Sequence, residues 1–249
     1  MSGDSLRRMT EGWGQGIEER RKAEVEQVYA EEKPVPAEQV VKVSMPIQGQ
    51  VNVSTDGGMV LLRNEGRKEV KISVFSQVQV SRVAPTLQDP HPEPEIRLQQ
   101  HSYQAGSGNA DEMGQHQHLE GARRQVAPMP THGFGQRWRT WDRPDHNDNY
   151  LRAVQAIDRK HADDRLWKAS KAAIGEGTPP SQAWVEQQAE RLWNGGVGEV
   201  VTALHALDWS QSTCPDDIRE SPAYLETRQS KMNYDYLRQA GFPIDSGTS

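Results

Sequence analysis

The chain has 249 residues and a formal net charge of −6, long enough for one large or two small domains with a buried core. Only 34% of residues are hydrophobic and 6% aromatic, with a mean hydropathy of −0.85, which excludes a generous core and predicts a partly loose chain. The single Cys214 excludes an internal disulfide framework and suits a reducing cytoplasm; no apolar run approaches the roughly 20 residues of a membrane span, and residues 1–10 lack the apolar centre of a signal peptide.

Residues 5–29 predict a helix. Arg7, Arg8, Arg20, Arg21 and Lys22 mix with Glu18, Glu19, Glu24 and Glu26, while Ile17, Val25 and Val28 make a thin apolar stripe. Gly12, Gly14 and Gly16 are expected to split it in two. It is either an arm for DNA or a partner subunit, or a solvated, salt-bridged helix, and the mixed charge fits the second better. Pro34 and Pro36 end it and form a linker.

From Val40 the period changes to two. Val51, Val53 and Thr55 alternate with Asn52, Ser54 and Asp56, so a half-buried strand is expected with Asp56 at its tip, followed by Gly57 and Gly58. A carboxylate on a sheet, beside residues without side-chain bulk, can hold a divalent metal against a phosphate. Asp-Gly is equally a common way to end a strand. Residues 59–63 and 68–80 predict a hairpin across Asn64-Glu65-Gly66, with Val70, Ile72, Val74, Val78 and Val80 sharing one face of a central-sheet candidate.

Residues 85–94 form a Pro-rich acidic connector, 96–103 predict a third strand, and 110–124 a helix. Residues 125–149 hold Trp138 and Trp141 but no sustained period; an irregular loop is expected. His132 and His146, with Asp142, Asp145 and Asp148, match no metal-ligand spacing. Residues 151–157 predict a short strand ending in Asp158. Leu166, Ala169, Ala173 and Ile174 then line a helix that Gly175 and Gly177 stop. Thr178 is an N-cap with Pro179 at the first helical position. A third helix carries Val197, Val200, Val201, Leu204 and Leu207, and a fourth is expected over 222–240, broken by Gly241-Phe242-Pro243.

Taken together, several stretches resemble the DDE transposases of bacterial insertion sequences, in particular the Kra-type group. Ser54-Thr-Asp-Gly-Gly-Met-Val60 and residues 63–71 resemble the first catalytic strand and its return strand. His101-Ser-Tyr-Gln-Ala-Gly106 and Gln155-Ala-Ile-Asp-Arg-Lys-His-Ala162 are similar to later blocks, the second with an Asp and a His three apart. Leu166-Trp167, Gly175-Glu-Gly-Thr-Pro179, Ala183-Trp-Val185 and Leu192-Trp193 resemble the helical insertion. Tyr224-Leu225, Arg228, Met232, Tyr234 and Gly241-Phe-Pro-Ile244 resemble the approach to the last catalytic motif.

The resemblance implies an α/β (α+β mixed) fold: an incomplete RNase H-like mixed sheet with an N-terminal helical arm and a C-terminal helical insertion. The corresponding expected division is 1–39 for the arm, 40–160 for a partial catalytic core irregular over 125–149, and 161–249 for the insertion and a truncated C-terminal segment. It implies DNA transposition by three carboxylates holding two Mg²⁺ (or Mn²⁺) ions about 4 Å apart, one activating the attacking oxygen and one stabilising the leaving oxygen. Asp56 matches the first acid, catalytic and metal-binding.

At the second, residues 135–141 place Gln136, a neutral and poor ligand, beside Arg137, and Asp142 falls off the motif. At the third, Pro243-Ile-Asp-Ser-Gly-Thr-Ser249 ends before the Glu. Arg67, Arg159 and Lys160 stand where the family favours aromatic residues, and residues 131–149 read as a decayed or frame-shifted stretch. A chain catalytically incomplete by itself is therefore expected.

Asp158 and His161 carry two readings: a metal-binding or DNA-positioning pair, or a helix cap with a packed imidazole. The resemblance implies a DNA-positioning or structural role rather than catalysis. It also implies element-end DNA as partner, possible homo-oligomers, no membrane, and a bacterial cytoplasmic, nucleoid-associated location. The negative net charge gives no global attraction to nucleic acid, so binding needs a local basic face or a metal. A non-catalytic DNA- or subunit-binding product, carried by residues 6–22 and the helical insertion, is the competing function. An unrelated hydrolase or nuclease using Asp56 and Asp158 as acid and base ranks last, because no nucleophile motif or phosphate loop accompanies them.

Overall fold

The computed structural model describes residues 3–62, 66–126, 154–210, 212 and 214–244. They contain eight α-helices, one 3-10 turn and a three-stranded antiparallel sheet, a mixed α and β architecture. None of these helices is long and apolar enough to cross a membrane. The chain divides into two compact units: Met1–Val78 with Leu98–Leu151, and Gln79–Arg97 with Arg152–Ser249.

The first unit opens with α1 (Gly3–Val28), one continuous helix rather than the expected two pieces. Each interior glycine costs only about 1 kcal/mol against alanine. Gln15 donates to Glu19 (2.9 Å), and Glu18 pairs with Arg21 and Lys22 (3.8 Å each), so the turns carry on through Gly12, Gly14 and Gly16. The linker expected at Pro34 and Pro36 contains a single turn, α2 (Ala37–Val40). Val28, Ala37, Val41, Leu119 and Ala122 bury a small cluster among α1, α2 and α3 (Ala110–Arg123). Asn109 begins α3 with a capping box: its side chain accepts from Glu112 N, and Glu112 accepts from Asn109 N.

The sheet runs in the order β1-β2-β3, from β1 (Val51–Leu62), β2 (Gly66–Ser81) and β3 (Glu95–Gly106). Pairing of β1 with β2 is unbroken from Val51↔Gln77 to Leu62↔Gly66. The face of β2 that carries the aliphatic stripe is covered only in part, at Ser76 and Val78. Lys71, Ser73 and Phe75 are buried, whereas Ile72 is 44% exposed and Val70 and Val74 are half-buried. Alternation reveals that a strand has two faces, but the neighbouring helix decides which is covered.

The second unit is helical: α4 (Arg159–Ala173), α5 (Pro179–Trp193), α6 (Val197–His205), α7 (Pro215–Glu226), a 3-10 turn (Gln229–Lys231) and α8 (Tyr234–Gln239). The described part of the expected 151–157 strand, residues 154–157, is not a strand. Gly175 and Gly177 end α4 with φ of +121° and +68°, and Thr178 caps α5, accepting from Ser181 N at 3.3 Å with Pro179 in the first turn. The single helix expected over 222–240 is instead α7 and α8. Thr227 turns back to donate to Ala223 O (2.8 Å), and Asn233 starts α8 by accepting from Tyr236 N. Leu166, Val185, Leu192, Val200, Leu204, Leu225, Met232 and Tyr234 are among the residues of its apolar interior.

Candidate functional site

Asp56 lies in the middle of β1, not at its tip, because the strand continues through Gly57 and Gly58 to Leu62. The strand-ending reading of Asp-Gly fails for the same reason: backbone pairing of Asp56 with Ile72 and Gly57 with Lys71 holds the segment extended. Residues directly opposite in an antiparallel pair share a face. Asp56 therefore stands with Ile72, flanked by Ser54↔Val74 and Gly58↔Val70.

The opposite face belongs to α3. Gln117 donates to Thr55 Oγ1 (2.8 Å) and Ser73 Oγ (2.5 Å), and Gln104 on β3 donates to Glu120 (2.8 Å). Lys71 extends this polar layer, reaching Glu69 (2.7 Å) and the Gly108 carbonyl (3.2 Å). Arg124 donates to the Gln100 carbonyl, where φ is +54°, and Arg123 pairs with Glu24 and Glu120. A buried layer of this kind holds only while its members stay paired.

The two glycines after Asp56 do different things. A Cβ on Gly57 would meet Glu69 Oε1 at 2.8 Å, so Gly57 makes room for the Glu69 side chain on the α3 side. A Cβ on Gly58 would meet nothing within 4 Å, so space is open beside Asp56. Asp56 Oδ1 accepts from Gly57 N at 2.7 Å. Its neighbours on this stretch of β1 and β2 are one hydroxyl, one glycine and three aliphatic side chains. Among the described residues no group of three His, Cys, Asp or Glu is placed to hold a metal ion. Gln136, Asp142, Asp145, Asp148, His132 and His146 lie outside the described residues.

Asp158 and His161 belong to the second unit, whereas Asp56 belongs to the first. Asp158 caps α4, its carboxylate accepting from Lys160 N (2.8 Å) and its carbonyl from His161 N (3.0 Å). His161 is exposed on the first turn of α4 and lines a cleft of about 490 Å³ with Asp164, Arg165, Trp167, Lys168 and Tyr224. Of the two readings, the helix cap describes Asp158, whereas His161 is exposed and not packed as that reading expected.

On α7, the Tyr224 ring carries two guanidinium contacts, Arg165 at 4.7 Å and Arg228 at 4.3 Å from its centroid. Arg165 also pairs with Glu220 at 3.1 Å. Sequence reasoning placed Trp167 and Tyr224 in separate blocks and did not bring them to one cleft; Trp167 beside Lys168, off the apolar face of Leu166 and Ala169, was the available signal. Compared with known protein families, curated proteins and solved structures, the chain matches none.

Proposed function

We propose that this chain is a DNA-binding protein of DDE-transposase type, with an incomplete RNase H-like sheet, that does not itself cut DNA. The observation that carries the reading is the position of Asp56. It sits in the middle of the first strand of an antiparallel three-strand sheet, on the face that α3 leaves uncovered, with open space at Gly58. The sequence blocks that resemble the family support the same reading, with element-end DNA as partner.

The donor set beside Asp56 does not fit a pair of Mg²⁺ or Mn²⁺ ions. Such ions need several oxygen ligands, and among the described residues the strand neighbours of Asp56 on its own face are Ser54, Gly58, Val70, Ile72 and Val74, none of them an acid. Gln136 at the second motif position points the same way. No chemical step through a metal follows from this arrangement.

A strand-transfer and nicking assay on element-end DNA, with Mg²⁺ or Mn²⁺, tests the proposal. No turnover is expected, together with a gel-shift that weakens as salt rises. Turnover that Asp56→Ala abolishes would overturn the non-catalytic reading, and absence of any DNA binding at low salt would overturn the DNA-binding one.

One observation favours subunit binding as a second role. Met9, Trp13 and Ile17 recur every fourth residue on one side of α1 and are 39%, 67% and 55% exposed, an apolar stripe suited to a second copy of this chain. Sedimentation of the wild type and of Trp13→Glu decides: a dimer that the substitution dissociates is expected, and a wild-type monomer at all concentrations rejects the role.

A further inference from the structure

We infer that the seam between α1 and α3 is an acid-released latch, in which His116 and His118 hold α1 closed while neutral and let it open when protonated. Both imidazoles stand on α3. His118 is 7% exposed, and its Nδ1 bonds the Tyr29 hydroxyl, just past the end of α1, at 2.6 Å. The two rings meet edge-on with centroids 5.9 Å apart. His116 is half-buried, and its Nδ1 has no hydrogen-bond partner among the described residues. Gly106, at the end of β3, lies against that nitrogen: a Cβ there would stand 3.8 Å from it.

The charges that act on these rings come from all three helices of the seam. Glu18 and Arg21 of α1, with Glu112 and Arg123 of α3, act on His116, and Glu38 of α2 acts on His118. Arg21 donates to the Ala105 carbonyl (2.8 Å), and Arg123 pairs with Glu24 and Glu120, so both cations are fixed at the seam. From β2, Lys71 reaches the Gly108 carbonyl at 3.2 Å, just before α3 begins. Burial holds both imidazoles below the ordinary histidine range. Arg21 and Arg123 add to this at His116, against Glu18 and Glu112, and Glu38 opposes it at His118. Burial pushes the Tyr29 phenol up, so it stays a neutral hydroxyl throughout the acid range.

A protonated imidazole carries N–H on both nitrogens, so Tyr29 can then only accept at Nδ1, and a closed seam keeps the new charge buried. Opening α1 returns both rings to water, where they bind protons at about pH 6.5. The closed seam is therefore fully favoured above about pH 6.5. Below it the opening constant rises up to about tenfold per pH unit for each imidazole, until the closed-state value is reached. The paired segments of β1 and β2 contain no histidine, so that ladder has no matching response. Opening bares apolar surface, with Val25, Val28 and Tyr29 on one side and Leu119 and Ala122 on the other. Neither Asp56 nor DNA enters, so the latch stands or falls independently of the transposase-type reading.

The test is amide hydrogen exchange on the full chain between about pH 7.5 and about pH 5, corrected for the pH dependence of the intrinsic exchange rate. A helix released from its packing is marginal in water, so its amides report the opening. Residues 20–29 should exchange about tenfold faster or more at the lower pH, while residues 70–78 of β2 keep their protection. The double variant His116→Gln with His118→Gln should show no such rise, and each single variant about half of it on a logarithmic scale.

Circular dichroism confirms that each variant is folded, and the single variants decide where the double one is not. Equal exchange of residues 20–29 at both pH values, an acceleration shared by β2, or a rise that both single variants keep in full would each overturn the latch.

Discussion

The two units are built on opposite principles. The helical unit buries Leu166, Leu192, Val200, Leu204, Leu225 and Met232, side chains whose contacts are non-directional and forgiving. The sheet unit buries Lys71, Ser73, Gln104, Gln117, Glu120 and Arg124 between strands and α3, and its apolar cluster is small. Gln104 Oε1, Ser102 Oγ and Arg124 Nε are buried without a hydrogen-bond partner among the described residues. A polar layer fixes which strand lies over which helix residue, yet contributes little stability, because each hydrogen bond replaces one to water. The helical unit should therefore be the more stable, and the sheet unit the more sensitive to conditions.

The largest expected effect is in the apolar interior. Leu204, fully buried on α6, should cost about 2–5 kcal/mol when cut to alanine, read as a lower urea midpoint for the helical signal. A loss well under 1 kcal/mol would mean that the helical interior is as loose as its polar counterpart.

Next comes the layer itself. Gln117→Leu leaves the Thr55 and Ser73 hydroxyls only their 3.0 Å bond to each other and should cost about 1 kcal/mol. Adding Thr55→Val and Ser73→Ala should restore much of that loss, since removing all partners together leaves nothing unsatisfied. If the triple variant is worse than the single one, the layer acts through packing instead.

Acid should also separate the units. Burial holds His118 below the usual histidine range, and burial followed by the Arg21 charge does the same for His116. As pH falls through about 6.5 the unfolded chain takes up these protons before the folded one. The sheet unit should lose up to about 1.4 kcal/mol per pH unit for each imidazole until its folded value is reached, and keep its full stability above that range. His118 also bonds the Tyr29 hydroxyl at 2.6 Å, so His118→Gln should flatten the slope whatever it does to the absolute stability. Urea titrations at several pH values give both quantities.

The smallest effect is a gain. Gly14 sits inside α1 with nothing within 4 Å of a Cβ, so Gly14→Ala should stabilise the helix by about 0.5–1 kcal/mol, seen as increased helicity and a higher Tm.

Most helices were legible because their signals are local. Thr178-Pro179 opens α5, and Gly175 and Gly177 close α4. What was lost depends on distant chain. Val70, Ile72 and Val74 look like a core stripe until α3 is seen to cover Lys71 and Ser73. Asp56-Gly57 looks like a stop until β2 is laid beside it. The 222–240 helix fails at Thr227 and Asn233, polar side chains that compete with the helical ladder for backbone groups. The α4–α7 cleft joins residues such as Arg165 and Glu220, 55 positions apart, which no short-range pattern could connect.

β1 is an outer strand: among the described residues only β2 lies beside it, and Thr55 to Leu61 are exposed. A strand edge that no other described strand covers is a template onto which another chain can add. Seen this way, the carboxylate of Asp56 and the two glycines after it form a gatekeeper, a charge and two weak strand-formers set in the middle of a sticky edge. Light scattering of Asp56→Val should show fibrous or amorphous association that the wild type resists, and equal solubility of the two would deny Asp56 that protective duty.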